Sequence, residues 1–422
     1  MGLTFAEKVL SAKAGREVRA GEIITVEPDI VLSHDNSAAI SKTFAGIGVE
    51  RVRFPERIVI VLDHCVPAAD FKYAANHKLI REFVAAQGIR HFFDISHGVC
   101  HQVLLEHGFA TPGTVCVGSD SHTTSYGAVG SFAVGIGRTE AACTWATGEL
   151  WLRVPETMRI KVDEEWQPRV GAKDLVLAVA GQISASGADY LSVEWTGSAI
   201  CKLSVDGRFT LCNMSAELGA KNGYVPPDGV AAEWLSHAAG VESNRLDYER
   251  WHSDTDAVVK ESIQVDVFTL APQVACPHRV DNVKPVGEVA GTRVHQCLLG
   301  TCTNGRLSDL EAAWQVLEGH HVHPSTRLLV FPASQRVNTV AIKSGLAEQF
   351  IAAGAVWMNP GCGPCLGAHE GALAPGEICI STANRNFKGR MGTPESDIYL
   401  ASPESVAAAA IAGEITDPRE VS

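Results

Sequence analysis

The chain alternates between short runs that are apolar throughout and longer stretches in which apolar residues recur every three or four positions. Residues 58–62 (IVIVL) form one such run, the pattern of a strand buried on both faces of a parallel sheet. Residues 114–117, 298–299 and 328–331 read the same way. Leu79, Ile80, Phe83 and Val84 mark one face of a helix that stops at Gly88. A second helix lies between the last two strands, with Ser308 and Glu311 spaced as a capping box at its start. Phe5, Val9 and Leu10 place an amphipathic helix within residues 1–15, and residues 221–228 (KNGYVPPD) read as a Gly/Pro loop. No internal repeat with a period of about 20–50 residues is present. The alternation predicts an α/β protein with mostly parallel sheets.

Polar residues follow the apolar runs directly. Asp63 and His64 come after 58–62, Asp120, Ser121 and His122 after 114–117, and Cys302 after 298–299. In open α/β sheets, ligands bind beyond the carboxyl ends of the strands. Several strand ends are therefore expected to converge on one cleft.

Length and charge refine this picture. At 422 residues the chain exceeds a single ordinary core, and three domains are expected, at about 1–160, 161–275 and 276–422. The formal net charge of −13 argues against general affinity for a nucleic-acid backbone. It leaves room for a local arginine pocket that holds an anionic substrate. No apolar run approaches the roughly 20 residues needed to span a bilayer. The N-terminal stretch lacks a signal-peptide core, so a cytoplasmic location is expected.

The 12 cysteines are dispersed, unlike a small disulfide scaffold. In Gly361-Cys362-Gly363-Pro364-Cys365, two thiols can reach one centre, and Gly and Pro keep the backbone close to it. Cys302, within residues 300–305 (GTCTNG), is a third candidate. Three readings compete: a redox pair or buried thiols, a zinc site on Cys302, Cys362, Cys365 and His369, and an iron–sulfur cluster on three thiolates, with one iron open as a Lewis acid. Spacing alone does not choose among them. The remaining cysteines (Cys65, Cys100, Cys116, Cys143, Cys201, Cys212, Cys276, Cys297 and Cys379) read as core thiols.

The surrounding motifs do choose. VGSDSHT from Val117 leads into GAVG from Gly127; GTCTNGRLSDL from Gly300, NPGCGPCLG from Asn359 and ANRNFKGRMG from Ala383 follow in order. With these motifs the chain resembles the aconitase superfamily, from the HDN at His34 to the tail ASPESVAAAAIAGEITDP. The resemblance implies aconitase-type α/β/α domains around a central [4Fe–4S] cluster on Cys302, Cys362 and Cys365, with one open iron. It also implies reversible dehydration and rehydration of a hydroxy di- or tricarboxylic acid. Catalytic roles fall by position to Asp63, His64, His101, Asp120, His122 and Glu194. Substrate-binding roles fall to His34, Ser121, Asn384, Arg385 and Arg390, with His34 standing where aconitase itself has glutamine. The chemistry agrees: dehydration needs a Lewis acid and a proton donor, and arginine matches carboxylates in bidentate fashion.

The swivelling fourth domain of longer relatives is expected to be absent from residues 1–422. The resemblance is therefore to the split branch, in which a separate small subunit supplies that domain and the large subunit alone is expected to be inactive. Within the branch, isopropylmalate of leucine synthesis is the expected substrate because it is the commonest, with homoaconitate and 2,3-dimethylmalate as alternatives. A cluster-sensing RNA-binding regulator is disfavoured by the acidic charge and the missing domain. A zinc-stabilised structural protein would have no use for the acid/base and arginine motifs.

Overall fold

The computed structural model describes residues 2–242, 246–367 and 369–421. Its first sheet has five parallel strands, in spatial order His91–Phe93, Ile58–Val61, Ile30–Ser33, Val115–Gly118 and Phe132–Gly135. In chain order these are the third, second, first, fourth and fifth strands. The order therefore reverses between Ile30–Ser33 and Val115–Gly118, which opens a crevice at their carboxyl ends. The apolar composition of the three central strands follows from burial on both faces.

A seven-stranded sheet repeats this plan. Five of its strands, Val356–Trp357, Arg327–Val330, Gln296–Leu299, Ile378–Ser381 and Asp397–Leu400, are parallel and lie in the same third-second-first-fourth-fifth order. Two short antiparallel strands, Gln273–Ala275 and Val283–Pro285, extend one edge. Between the two large sheets in the chain comes a parallel four-stranded sheet of Asn222–Tyr224, Ser192–Thr196, Thr157–Asp163 and Glu261–Asp266. One apolar core joins these three of the four sheets, with Val59, Trp195, Phe209, Leu298 and Phe331 among its members. The mostly parallel α/β architecture expected from the alternation is what the chain adopts.

Local chemistry explains the helix ends. Phe71–Gln87 stops at Gly88, whose φ of 69° suits glycine. Phe5–Ala14 starts at a Thr4/Glu7 capping box and buries Phe5, Val9 and Leu10, with the Phe5 ring stacked 3.7 Å from Tyr224. Two local expectations are corrected. The helix Leu307–Leu317 is capped by Asp309, whose carboxylate accepts the Arg306 N–H at 2.9 Å, while Ser308 turns to Asp206. Residues 221–228 are not all loop: Asn222–Tyr224 pairs in parallel with Ser192–Glu194 before Asp228 caps the next helix. Among the described residues, no helix is long and apolar enough to cross a membrane.

Candidate active site

The carboxyl ends of both large sheets deliver the expected residues. His34 follows Ile30–Ser33, Asp63 and His64 follow Ile58–Val61, and Asp120 follows Val115–Gly118. From the other sheet, Cys302 follows Gln296–Leu299, Cys362 and Cys365 follow Val356–Trp357, and Asn384 and Arg385 follow Ile378–Ser381. Asp63, His64, His101, Asp120, His122, Asn384, Arg390 and the three cysteines line one cavity. His34, Ser121 and Arg385 join it through direct contacts, and Glu194 does not.

The nitrogen–oxygen side of the cavity is tightly ordered. Asp35 accepts the backbone N–H groups of Asp63 and His64, both at 2.9 Å, and meets His77 Nε2 at 2.8 Å. Asp63 is fully buried; its Oδ1 lies 2.6 Å from His64 Nδ1, and its Oδ2 accepts the Cys100 N–H at 2.7 Å. His64 Nε2 faces Asp120 Oδ2 at 3.6 Å, and the His34 ring stacks on His64 at 3.8 Å. Burial alone would lower the His64 pKa, but Asp63, the Cys362 sulfur and Asp120 reverse this and hold it well above the usual histidine value. Burial, with the adjacent His64 charge, pulls His34 down to about 4. Asp120 Oδ1 sits between His101 Nε2 (2.9 Å) and the His122 N–H (2.8 Å). The side chains of His101, His122 and His64 overcome burial and keep the Asp120 carboxyl well below the ordinary range.

The sulfur side depends on close backbone approach. Gly363, between the two cysteines, has φ 55°, and a Cβ there would lie 2.6 Å from the Phe331 ring. The Cys362 N–H donates to the Asp63 carbonyl at 3.1 Å, tying the two sides together. Thr301 takes a φ of 70°, a strained conformation for a β-branched residue, immediately before Cys302. Cys302 Sγ accepts from Asn213 Nδ2 and Asn384 Nδ2, each at 3.3 Å, and Arg390 Nη2 lies 3.6 Å from Cys365 Sγ. Burial pushes the Cys302 thiol up to about 12, so a free thiolate is disfavoured there. N–H donors aimed at the Cys302 and Cys365 sulfurs suit metal-bound thiolates, and with Cys362 lining the same cavity the three cysteines fit a metal centre. His369, the expected fourth ligand of a zinc site, instead points its Nε2 at the Pro67 carbonyl, 2.8 Å away. Two of the cysteines read as core thiols, Cys143 and Cys201, are exposed, because they lie on the outer faces of their helices.

Glu194 is the expected catalytic residue that the structure does not bring to the site. It points into a different cavity, where Arg159 pairs with it at 3.1 Å and the Ser253 hydroxyl donates at 3.2 Å. Glu217, missed in the sequence, instead borders the site through His122 and Arg385. It lies in the turn Ala216–Leu218 after the helix Val205–Ser215, and its carboxylate accepts from His122 Nε2 and Arg385 Nε, both at 2.8 Å. Arg385 Nη2 also donates to Ser121 Oγ at 2.8 Å. An acid within the small and apolar segment MSAELGA was the available signal.

Residues 7–290 and 286–413 match the aconitase family (aconitate hydratase). The chain belongs to the aconitase family. It is 50% identical over 420 residues, 99% of each chain, to 3-isopropylmalate dehydratase large subunit 1 of Methanopyrus kandleri. It is also 50% identical over 394 residues, 93% of this chain and 99% of the other, to the probable methanogen homoaconitase large subunit of Methanosarcina mazei. Among solved structures, the holo-form of aconitase X from Thermococcus kodakaraensis matches with a TM-score of 0.51 over 93% of both chains. At 12% identity that likeness supports the fold alone.

Proposed function

We propose that this chain is the large subunit of a cytoplasmic hydro-lyase that interconverts 2-isopropylmalate and 3-isopropylmalate, by dehydration and rehydration, in leucine synthesis. The observation that carries this reading is the full-length 50% identity with the Methanopyrus kandleri large subunit. The word "large" in such names implies a separate small subunit, which would complete the site.

A [4Fe–4S] cluster on Cys302, Cys362 and Cys365, with one iron lacking a protein ligand, would supply the Lewis acid for a departing hydroxyl. The protein's own residues do the rest. His64 stays protonated: Asp63 holds its Nδ1, and the proton on Nε2 is the one available to a leaving hydroxyl. Asp120 fixes His101 and the His122 backbone while remaining ionised. His34 is neutral, and its buried Nδ1 has no protein partner, which leaves it free for a substrate oxygen. Arg385 and Arg390 offer planar guanidinium groups to the two carboxylates of the malate portion. Glu217 orients His122 and Arg385 together.

A homoaconitase reading has its own support in the Methanosarcina mazei relative. The deciding experiment is an anaerobic assay of the chain, alone and co-expressed with a small subunit, offered isopropylmalates, homocitrate, homoaconitate and citrate. Turnover of isopropylmalates by the pair, and not by the chain alone, is expected. Preference for homoaconitate would move the assignment to the second reading, and full activity without a partner would overturn the two-subunit arrangement.

A further inference from the structure

Lys173 lies in the first turn of the helix Ala172–Ile183, with only 1% of its surface exposed. Two effects oppose a cation there. The amino end of a helix already carries positive partial charge, and burial strips the ammonium of water. Among the described residues, its Nζ makes no ion pair with a carboxylate. It donates instead to the backbone carbonyls of Thr382 (2.9 Å) and Ala383 (2.6 Å), with Met214 Sδ at 3.9 Å. The adjacent Asp174 turns away to cap the helix through the Gly171 N–H and to accept the Gln273 N–H. Burial pulls the ammonium down to about 7, and thiolates at Cys302 and Cys365, once formed, are the charges that would oppose this most. The two carbonyls it holds immediately precede Asn384, which reaches Cys302 Sγ and Thr303 Oγ1, and Arg385, which reaches Glu217.

We infer that Lys173 is a positioning residue for the reaction: its ammonium clamps the turn that aims Asn384 and Arg385 into the site and provides the counter-charge to the cysteine sulfurs of the metal centre. The inference rests on the reading of Cys302, Cys362 and Cys365 as cluster ligands. Metal uptake converts these buried thiols to thiolates and adds negative charge where little water can screen it. A fixed cation in such a medium acts more strongly than it would at the surface. An amine that is costly in the metal-free chain thus becomes favourable once the metal is bound, a role that reaches the metal through its surroundings rather than by ligation.

The test compares wild type, Lys173→Met and Lys173→Arg, each purified anaerobically with the small subunit. Iron and sulfide content, cluster midpoint potential, kcat, KM, and the melting temperatures of metal-free and loaded forms are measured. Lys173→Met is expected to melt at or above wild type without metal, because the stranded charge is gone. Loaded, it should lose much of the stabilisation that the cluster confers, titrate at a more negative potential, and fall about 10- to 100-fold in metal retention or kcat. Lys173→Arg, which keeps the charge, should recover the potential. Equal destabilisation of the metal-free and loaded Lys173→Met forms, with wild-type potential, would make Lys173 a purely structural residue and overturn the inference. Absence of iron and sulfide from the wild-type protein would instead sink the cluster reading, and the inference with it.

Discussion

Replacing Glu217 by Gln keeps the shape of the side chain and removes its charge. The carboxylate accepts from His122 Nε2 and Arg385 Nε, each at 2.8 Å, with its side chain only 10% exposed. Hydrogen bonds to charged groups contribute about 1.5–3 kcal/mol, against about 0.5–1.5 kcal/mol for neutral ones. The amide therefore forfeits about 1–1.5 kcal/mol at each contact, or about 2–3 kcal/mol for the pair. At about 1.4 kcal/mol per tenfold, this corresponds to a fall in kcat/KM of about 30- to 150-fold. The assay is steady-state formation of the unsaturated acid by the anaerobic, iron-replete complex. Glu194→Gln serves as the comparison, because that carboxylate faces another cavity; its activity per folded chain should stay near wild type. Wild-type kcat/KM in Glu217→Gln, or a larger loss in Glu194→Gln, would refute the reasoning. Stability gives a second check. Burial raises the Glu217 pKa, but His122 and Arg385 outweigh it and leave the carboxyl below its usual value. Its contribution is then complete above the unfolded glutamate pKa of about 4.3 and vanishes as pH falls through the lower folded value. The melting deficit of Glu217→Gln should accordingly shrink on acidification through that range.

Serine at Cys302, Cys362 or Cys365 should abolish the iron and sulfide content measured after anaerobic purification. Air should inactivate the wild-type complex, and ferrous iron with reductant should restore it; indifference to air and chelators would contradict an open iron. Gly363→Ala introduces a Cβ 2.6 Å from the Phe331 ring at φ 55°. Crowding of about 1–3 kcal/mol and a left-handed penalty of about 1–2 kcal/mol should lower the melting temperature and reduce iron loading together. Phe5→Ala removes a buried ring stacked on Tyr224. It should cost about 3–5 kcal/mol in denaturant unfolding, with activity per folded chain unchanged.

The strands were legible because residues buried on both faces leave continuous apolar runs, and the ends of those runs pointed to the cleft. Glu194 shows where this legibility stops. Alternate residues of a strand face opposite sides, so residue type beside Trp195 does not tell which cavity a carboxylate enters. Glu217 comes from a short turn with no periodicity of its own, and only packing brings it to His122. At residues 308–311 the helix start was misplaced by two positions, because Asp309, rather than Glu311, lies within reach of the free Arg306 N–H. At residues 222–224, pairing with Ser192–Glu194 overrode the turn-forming composition of the segment. Exposure of Cys143 and Cys201 likewise depended on which helix faces found neighbours.

The contact between Cys362 Sγ and Asp63 Oδ2 joins residues 299 positions apart, and that between Arg385 and Ser121 joins residues 264 apart. On a ribosome adding about 5–20 residues per second, Cys362 emerges about 15–60 s after Asp63. The five-stranded sheet, complete by Gly135, can therefore form long before the last sulfur exists. Under the cluster reading, iron delivery must therefore wait until Cys365 has emerged, and a pulse of radioactive iron should label chains extended past that residue and not shorter ones.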